Sequence, residues 1–171
     1  MEMFDVYDAF GNSLNKTAIR GSKLRDGEFH TIVHIWIINS DGKYLIQKRN
    51  KADDINPYTW AATSGSVVAG EDSLLTCLRE TEEEIGIKLK ASQFKFLKRY
   101  FIKHPHSSYI TDLYLVKANI LLKDIVLDKL EVSEVKYVSM NEIKEMIKNK
   151  QFWNYERIIN RVGYFDLIEK S

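Results

Sequence analysis

The segment from Gly65 to Ile87, GSVVAGEDSLLTCLRETEEEIGI, constrains this chain more than any other. It reads as a helix from about Ser73 to Ile85, with Asp72 as N-cap and Gly86 placed at C′ to end it. At about 100° per residue, Leu74, Cys77, Leu78, Thr81 and Ile85 form a mostly apolar stripe. Glu80, Glu83 and Glu84 fall on roughly the opposite side, within an arc of about 100°. Glu80 and Glu84 are a like-charge i,i+4 pair, and such pairs repel. All three stand in the last two turns, where the helix dipole disfavours an anion by roughly 0.3–1 kcal/mol. Local stability does not account for acids in these places. A bound divalent cation does, because hard metals such as Mg²⁺ take carboxylate oxygens and keep positions open for phosphate.

The rest of the chain reads as strands interleaved with a few helices. Phe4 to Phe10 is strand-like and Gly11-Asn12 offers a turn, which makes an N-terminal hairpin within residues 1–29. Thr31 to Ile38 is a β-branched run suited to a buried strand, followed by turn chemistry at Asn39 to Gly42 and a second strand from Lys43 to Arg49. A polar loop from Asn50 to Thr59 leads to Trp60 and a short strand before Gly65. Phe94 to Ile102, Tyr109 to Ile120 and Val135 to Val138 are further strands. Ser139 with Glu142 is a capping box for a short helix to about Asn149. Phe152 to Ile168 reads as one C-terminal helix, with Tyr155, Ile158, Ile159 and Val162 at helical spacing. The pattern predicts an α/β fold with a mixed sheet covered on both faces, in one domain over residues 1–171. Apolar residues at 44% are enough for its core.

A net charge of +1 gives no global field toward a nucleic acid polymer or an anionic membrane. No run of apolar residues is long enough to span a bilayer, and the N-terminus reads as mature protein. The lone Cys77 suits a reducing cytoplasm and, lying on the apolar stripe, reads as a core residue.

The stretch Gly65 to Ile87 resembles a Nudix box: Gly65, Glu71, Arg79, Glu80, Glu83, Glu84, Gly86 and Ile87 match that family's pattern in register. Thr81 is the one departure, standing where the family usually has an aliphatic residue. The strand order resembles the Nudix α/β/α sandwich. His30, the strand pair Thr31 to Arg49, Gln47, Pro57 and Trp60 resemble the subgroup that includes isopentenyl-diphosphate isomerase. The resemblance implies water attack on a diphosphate linkage in a nucleotide or nucleoside-diphosphate-linked small molecule, assisted by Mg²⁺ or Mn²⁺. It assigns Glu80, Glu83 and Glu84 to the metal and to activating the water, with the Gly65 carbonyl as a further oxygen ligand. Arg79 holds Glu83 in position, and Glu71 braces the loop.

Arg49, Tyr58, Trp60 and Glu134 are candidates for contact with substrate, each with a surface or core role as the plainer reading. Glu131 neighbours Glu134, and His104, His106, His30 and His34 read first as structural or surface residues. Two alternatives stand beside the hydrolase. An isomerase needs a catalytic cysteine and histidine, and the segment AATSGSVV holds neither. A non-catalytic binding module usually loses carboxylates that this chain keeps. The C-terminal helix or the N-terminal hairpin is suited to building a homodimer.

Overall fold

The β-branched strand β3 (His30–Ile38) organises the sheet, because both of its edges are used. The computed structural model describes residues 2–50, 57–103, 108–153 and 163–171. One edge of β3 runs parallel to β8 (Tyr109–Lys117) from His30↔Tyr109 to Ile38↔Lys117. The other edge is divided. Its far end pairs with β4 (Tyr44–Arg49) and its near end with β6 (Thr63–Ser66), both antiparallel. β7 (Phe94–Ile102) extends the sheet beyond β8, while β5 (Trp60–Ala61) and β9 (Val132–Val138) pair with β4. A separate hairpin of β1 (Met3–Tyr7) and β2 (Ser13–Ile19) joins the rest through the bridge Tyr7↔Phe29.

Side chains alternate across the sheet and fill two cores. Helix α1 (Ser73–Ile85) covers one face, where Val33, Ile35, Ile37, Leu45, Tyr114 and Val116 meet Cys77 and Ile85. On the other face, Trp36, Ile46, Tyr100, Leu113 and Leu115 pack with Ile143 of α2 (Met140–Lys148) and with Tyr164, Phe165 and Ile168 of α3 (Tyr164–Glu169). The architecture is the expected α/β sandwich. The turn at Asn39 forms as its residue types require: its side-chain oxygen accepts from the Asp41 and Lys43 amides at 3.0 and 2.9 Å, and Gly42 takes φ 72°.

Several boundaries differ from the sequence reading: β8 ends at Lys117 and not Ile120, β9 begins at Val132 and not Val135, and two further differences have a clear physical cause. β1 stops at Tyr7, since the Asp8 carboxylate accepts the Phe10 and Asn12 amides and offers the backbone a turn in place of a ladder. The C-terminal segment is not one helix from Phe152. Phe152 makes a parallel bridge to Trp60, Gly163 sits in the left-handed region at φ 69°, and α3 begins at Tyr164. Tyr155, Ile158, Ile159 and Val162 lie outside the described residues, as do His104, Pro105 and His106. No helix among the described residues is long and apolar enough to cross a membrane.

Tyr164 fastens α3 to the sheet. Its hydroxyl accepts the Trp36 indole N–H at 2.9 Å and lies 2.9 Å from His34 Nδ1, to which it can donate its own hydrogen. Burial holds His34 neutral, with its pKa lowered to about 3. Tyr164→Phe should lower stability by about 1–3 kcal/mol, the cost of withdrawing a buried hydrogen-bond partner, read as a lower urea midpoint at constant slope. An unchanged midpoint would show that this hydroxyl does not anchor α3.

Candidate active site

The acidic helix has the caps its sequence calls for. Asp72 accepts the Leu75 amide at 2.8 Å, and Gly86 takes φ 70° at the other end. A Cβ on Gly86 would also stand 2.8 Å from the backbone oxygen of Val126, so the position needs glycine twice over. Val126 and Asp128 amides donate to the carbonyls of Ile85 and Glu84 at 3.0 and 3.2 Å, satisfying groups that helix ends leave open. Thr81 is fully buried with its hydroxyl donating to the Cys77 carbonyl at 2.7 Å. The departure at Thr81 is thus resolved inside the helix, and its methyl group can pack as an aliphatic residue would.

Arg79 gathers the carboxylates. Its Nε lies 3.2 Å from both oxygens of Glu71. One terminal nitrogen donates to Glu80 at 2.9 Å and to Glu83 at 3.0 Å, and the other donates to the Ser66 carbonyl at 3.2 Å. Glu71 also accepts from the Thr76 hydroxyl at 2.8 Å, which ties the loop to the first turn of α1. Glu80 lies against the backbone of β6: a Cβ added to Gly65 would be 2.0 Å from its carboxyl carbon. Gly65 is therefore the place where a carboxylate and a main chain touch.

Glu84 differs from the expectation. It is not on the face opposite the apolar stripe but beside it, about 20° from Cys77 on the wheel, and only 5% exposed. Its carboxylate accepts from the Gln47 amide at 2.7 Å, and Gln47 in turn accepts from Thr63 at 3.0 Å. Burial, with the charge of Glu80 added, pushes the Glu84 carboxyl up to about 8. Burial pushes Glu80 up to about 7, against the pull of Arg79. Two buried acids thus stand where ionisation is opposed.

These are hard oxygen donors, suited to a divalent cation. Among the described residues, however, no three His, Cys, Asp or Glu side chains are already gathered as a metal site. The Arg79 guanidinium engages the Glu71, Glu80 and Glu83 carboxylates.

The candidate substrate residues separate. Arg49 has its guanidinium 5.0 Å from the Trp153 ring, and its charge favours ionised Glu84, so it lies within electrostatic reach of that carboxylate. Tyr58 is 54% exposed in its loop with φ 60°. Trp60 and Glu134 both pair with Lys48, on the sheet face opposite Gln47. Lys136 lies 4.2 Å from the Trp60 ring, and Glu134 is 3.6 Å from the Lys48 ammonium. Glu131, not Glu134, is the late acid that the fold brings within electrostatic reach of Glu84. The residue pairing skips between Lys48 and Arg49, a bulge that turns the two acids apart. Cys77 is buried on the core side with its thiol pushed up by burial, so it offers no thiolate for isomerase chemistry.

Comparison with known proteins gives the family and the fold. The NUDIX domain family model matches residues 28–160. A Nudix hydrolase of Listeria monocytogenes is 31% identical over 156 residues, which span 91% of this chain and 90% of that protein. The crystal structure of DR0079 from Deinococcus radiodurans superposes with a TM-score of 0.76 at 16% identity, covering 95% of this chain and 99% of that one. A bifunctional NMN adenylyltransferase/ADP ribose pyrophosphatase from Francisella tularensis, complexed with AMP and a Mn ion, superposes with a TM-score of 0.59 at 17% identity, covering 83% of this chain and 42% of that one.

The raised carboxyls make a pH prediction for the metal-free protein. Between the ordinary carboxyl range and about pH 8, the folded state keeps protons on Glu80 and Glu84 that the unfolded state has lost, so stability falls as pH rises. His30 and His34, lowered to about 4 and 3, act in the opposite sense, and their effect fades above their unfolded value near 6.5. From pH 6.5 to 8 the acids outweigh them. Urea unfolding in EDTA should show a loss of about 1–2 kcal/mol over that range, and a smaller loss in Glu84→Gln. A flat profile in the parent protein would contradict the burial of these groups.

Proposed function

Because this chain belongs to the Nudix family and is a pyrophosphohydrolase of that family, we propose that it requires Mg²⁺ or Mn²⁺ and cleaves the diphosphate linkage of a nucleotide or nucleoside-diphosphate-linked small molecule by water attack. The observation that carries this reading is the pair of buried acids, Glu80 laid on Gly65 and Glu84 held by Gln47. Both are kept from ionising by burial and both have oxygens that a hard cation would favour. The residues therefore fit the metal. The Francisella tularensis neighbour with its AMP and Mn ion supports the same choice of ligand class.

In this reading Glu80, Glu83 and Glu84, with the Gly65 carbonyl, hold the ion. When bound, the cation neutralises phosphate charge and polarises the reacting diphosphate. Arg79 keeps Glu80 and Glu83 oriented through the one terminal nitrogen that donates to both, and Glu71 fixes Arg79 from the loop side. A carboxylate of the cluster takes the proton of the attacking water. Arg49, within electrostatic reach of Glu84, contacts a phosphate oxygen. The free, buried Cys77 is consistent with a reducing compartment such as the cytoplasm.

A panel of nucleotide sugars, dinucleoside polyphosphates, nucleoside di- and triphosphates and coenzyme diphosphates, run with Mg²⁺ and with Mn²⁺, tests the assignment. EDTA should abolish phosphate or nucleotide release. Glu84→Gln should lower turnover by at least about 100-fold with circular dichroism unchanged, as for loss of a catalytic electrostatic group. Gly65→Ala should do comparable damage, since its Cβ would collide with the Glu80 carboxylate at 2.0 Å. Turnover that survives EDTA, or a Glu84→Gln enzyme near the parent rate, would reject it.

A further inference from the structure

Residues 2–20 lie outside the span 28–160 that the family model matches, yet the hairpin they form is built into the site. The Met3 carbonyl accepts the Ala69 amide at 2.9 Å, and the Asp5 carboxylate accepts the Gly70 amide at 2.9 Å. These two bonds hold the turn just before Glu71, the acid that braces Arg79. Phe4 lays its ring on His30, with centroids 4.6 Å apart, at the start of the central strand. The hairpin is thus docked on both the loop and the strand that frame the carboxylates.

At the open end of the hairpin Met3 pairs with Ile19, and the Arg20 amide donates to the Glu2 carbonyl at 2.9 Å. Arg20 therefore emerges at the same end as the contact to Ala69. Its guanidinium pairs with Glu2 at 2.5 Å while its side chain stays 54% exposed. Its charge is felt beyond the hairpin. It favours ionised Glu80 and is itself favoured by Glu80 and Glu131, and it opposes protonation of His30. An exposed ion pair such as Arg20 with Glu2 contributes little to stability. The guanidinium carries five N–H donors in a planar fork, and the bond to Glu2 leaves donors for a second anion.

Resting on the pyrophosphohydrolase reading above, we infer that the N-terminal hairpin is a working part of the active site, in which Arg20 binds an oxygen of the substrate's diphosphate group at the rim of the α1 carboxylates while β1 holds the turn before Glu71 in place. An anion seated there is attracted by Arg20 from the hairpin side and by the cation held among the acids from the other. Substrate selection for a diphosphate then draws on a residue that the family match does not include.

Imidodiphosphate, a diphosphate that resists hydrolysis, is the probe. Its binding to the full chain with Mn²⁺ is followed by calorimetry, beside kinetics on the diphosphate that is turned over. Arg20→Ala should weaken binding by about tenfold or more, the scale of one charge-assisted contact. KM should rise in step while kcat stays within about threefold, as for loss of uniform binding. Arg20→Lys should recover part of the affinity. Glu2→Gln, which releases Arg20 from its ion pair, should bind as well as the parent or better. Equal binding by Arg20→Ala and the parent would overturn the inference and leave the hydrolase reading standing. Loss in Glu2→Gln as large as in Arg20→Ala would reduce Arg20 to a structural ion pair and overturn it too. Failure of the parent protein to bind the probe with Mn²⁺ would instead bring down the metal-dependent diphosphate reading of the site and this inference with it.

Discussion

The fork of Arg79 is the interaction on which the site depends. It joins a strand carbonyl at Ser66, a loop carboxylate at Glu71 and two helix carboxylates at Glu80 and Glu83. Four like-charged or electron-rich groups from three successive segments would otherwise repel one another, and Glu80 and Glu83 also stand toward the negative end of the α1 dipole. One delocalised cation with planar donors can satisfy them together, which a lysine could not. The helix, the turn before it and the end of β6 are thereby locked into one unit.

That unit is useful because the rest of the fold makes it dry on one side. β3 divides its edge between β4 and β6, so Gln47 and Gly65 come to the same face of the sheet. Gln47 meets Glu84 and Gly65 meets Glu80, and burial then raises both carboxyls. The segment 126–128 caps the end of α1 and carries the chain into β9, which brings Glu131 toward Glu84. Capping, sheet register and acidity are consequences of one arrangement.

Much of this was legible in residue order, for a physical reason in each case. Asp72 and Gly86 mark helix ends because local backbone geometry demands such residues. The register of Arg79 with Glu83 follows from helical spacing. What misled were features set at a distance. The C-terminal periodicity suggested one helix, but Phe152 is drawn into a bridge with Trp60 and Gly163 turns the chain before α3. Glu134 and Glu131 look alike in sequence, and the bulge opposite Lys48 and Arg49 decides which of them meets Lys48 and which comes within electrostatic reach of Glu84.

By itself, then, the order of residues determined the family, the helix with its caps and the identity of the acids, because these rest on contacts within a few positions along the chain. Only the tertiary structure decided how buried each acid is, and therefore how readily it ionises. Glu84 lies 37 positions from Gln47 and Arg20 acts on Glu80 across the hairpin boundary. Solvent exclusion and long-range Coulomb interaction are properties of packed neighbours, and strand pairing supplies neighbours that no local spacing can name.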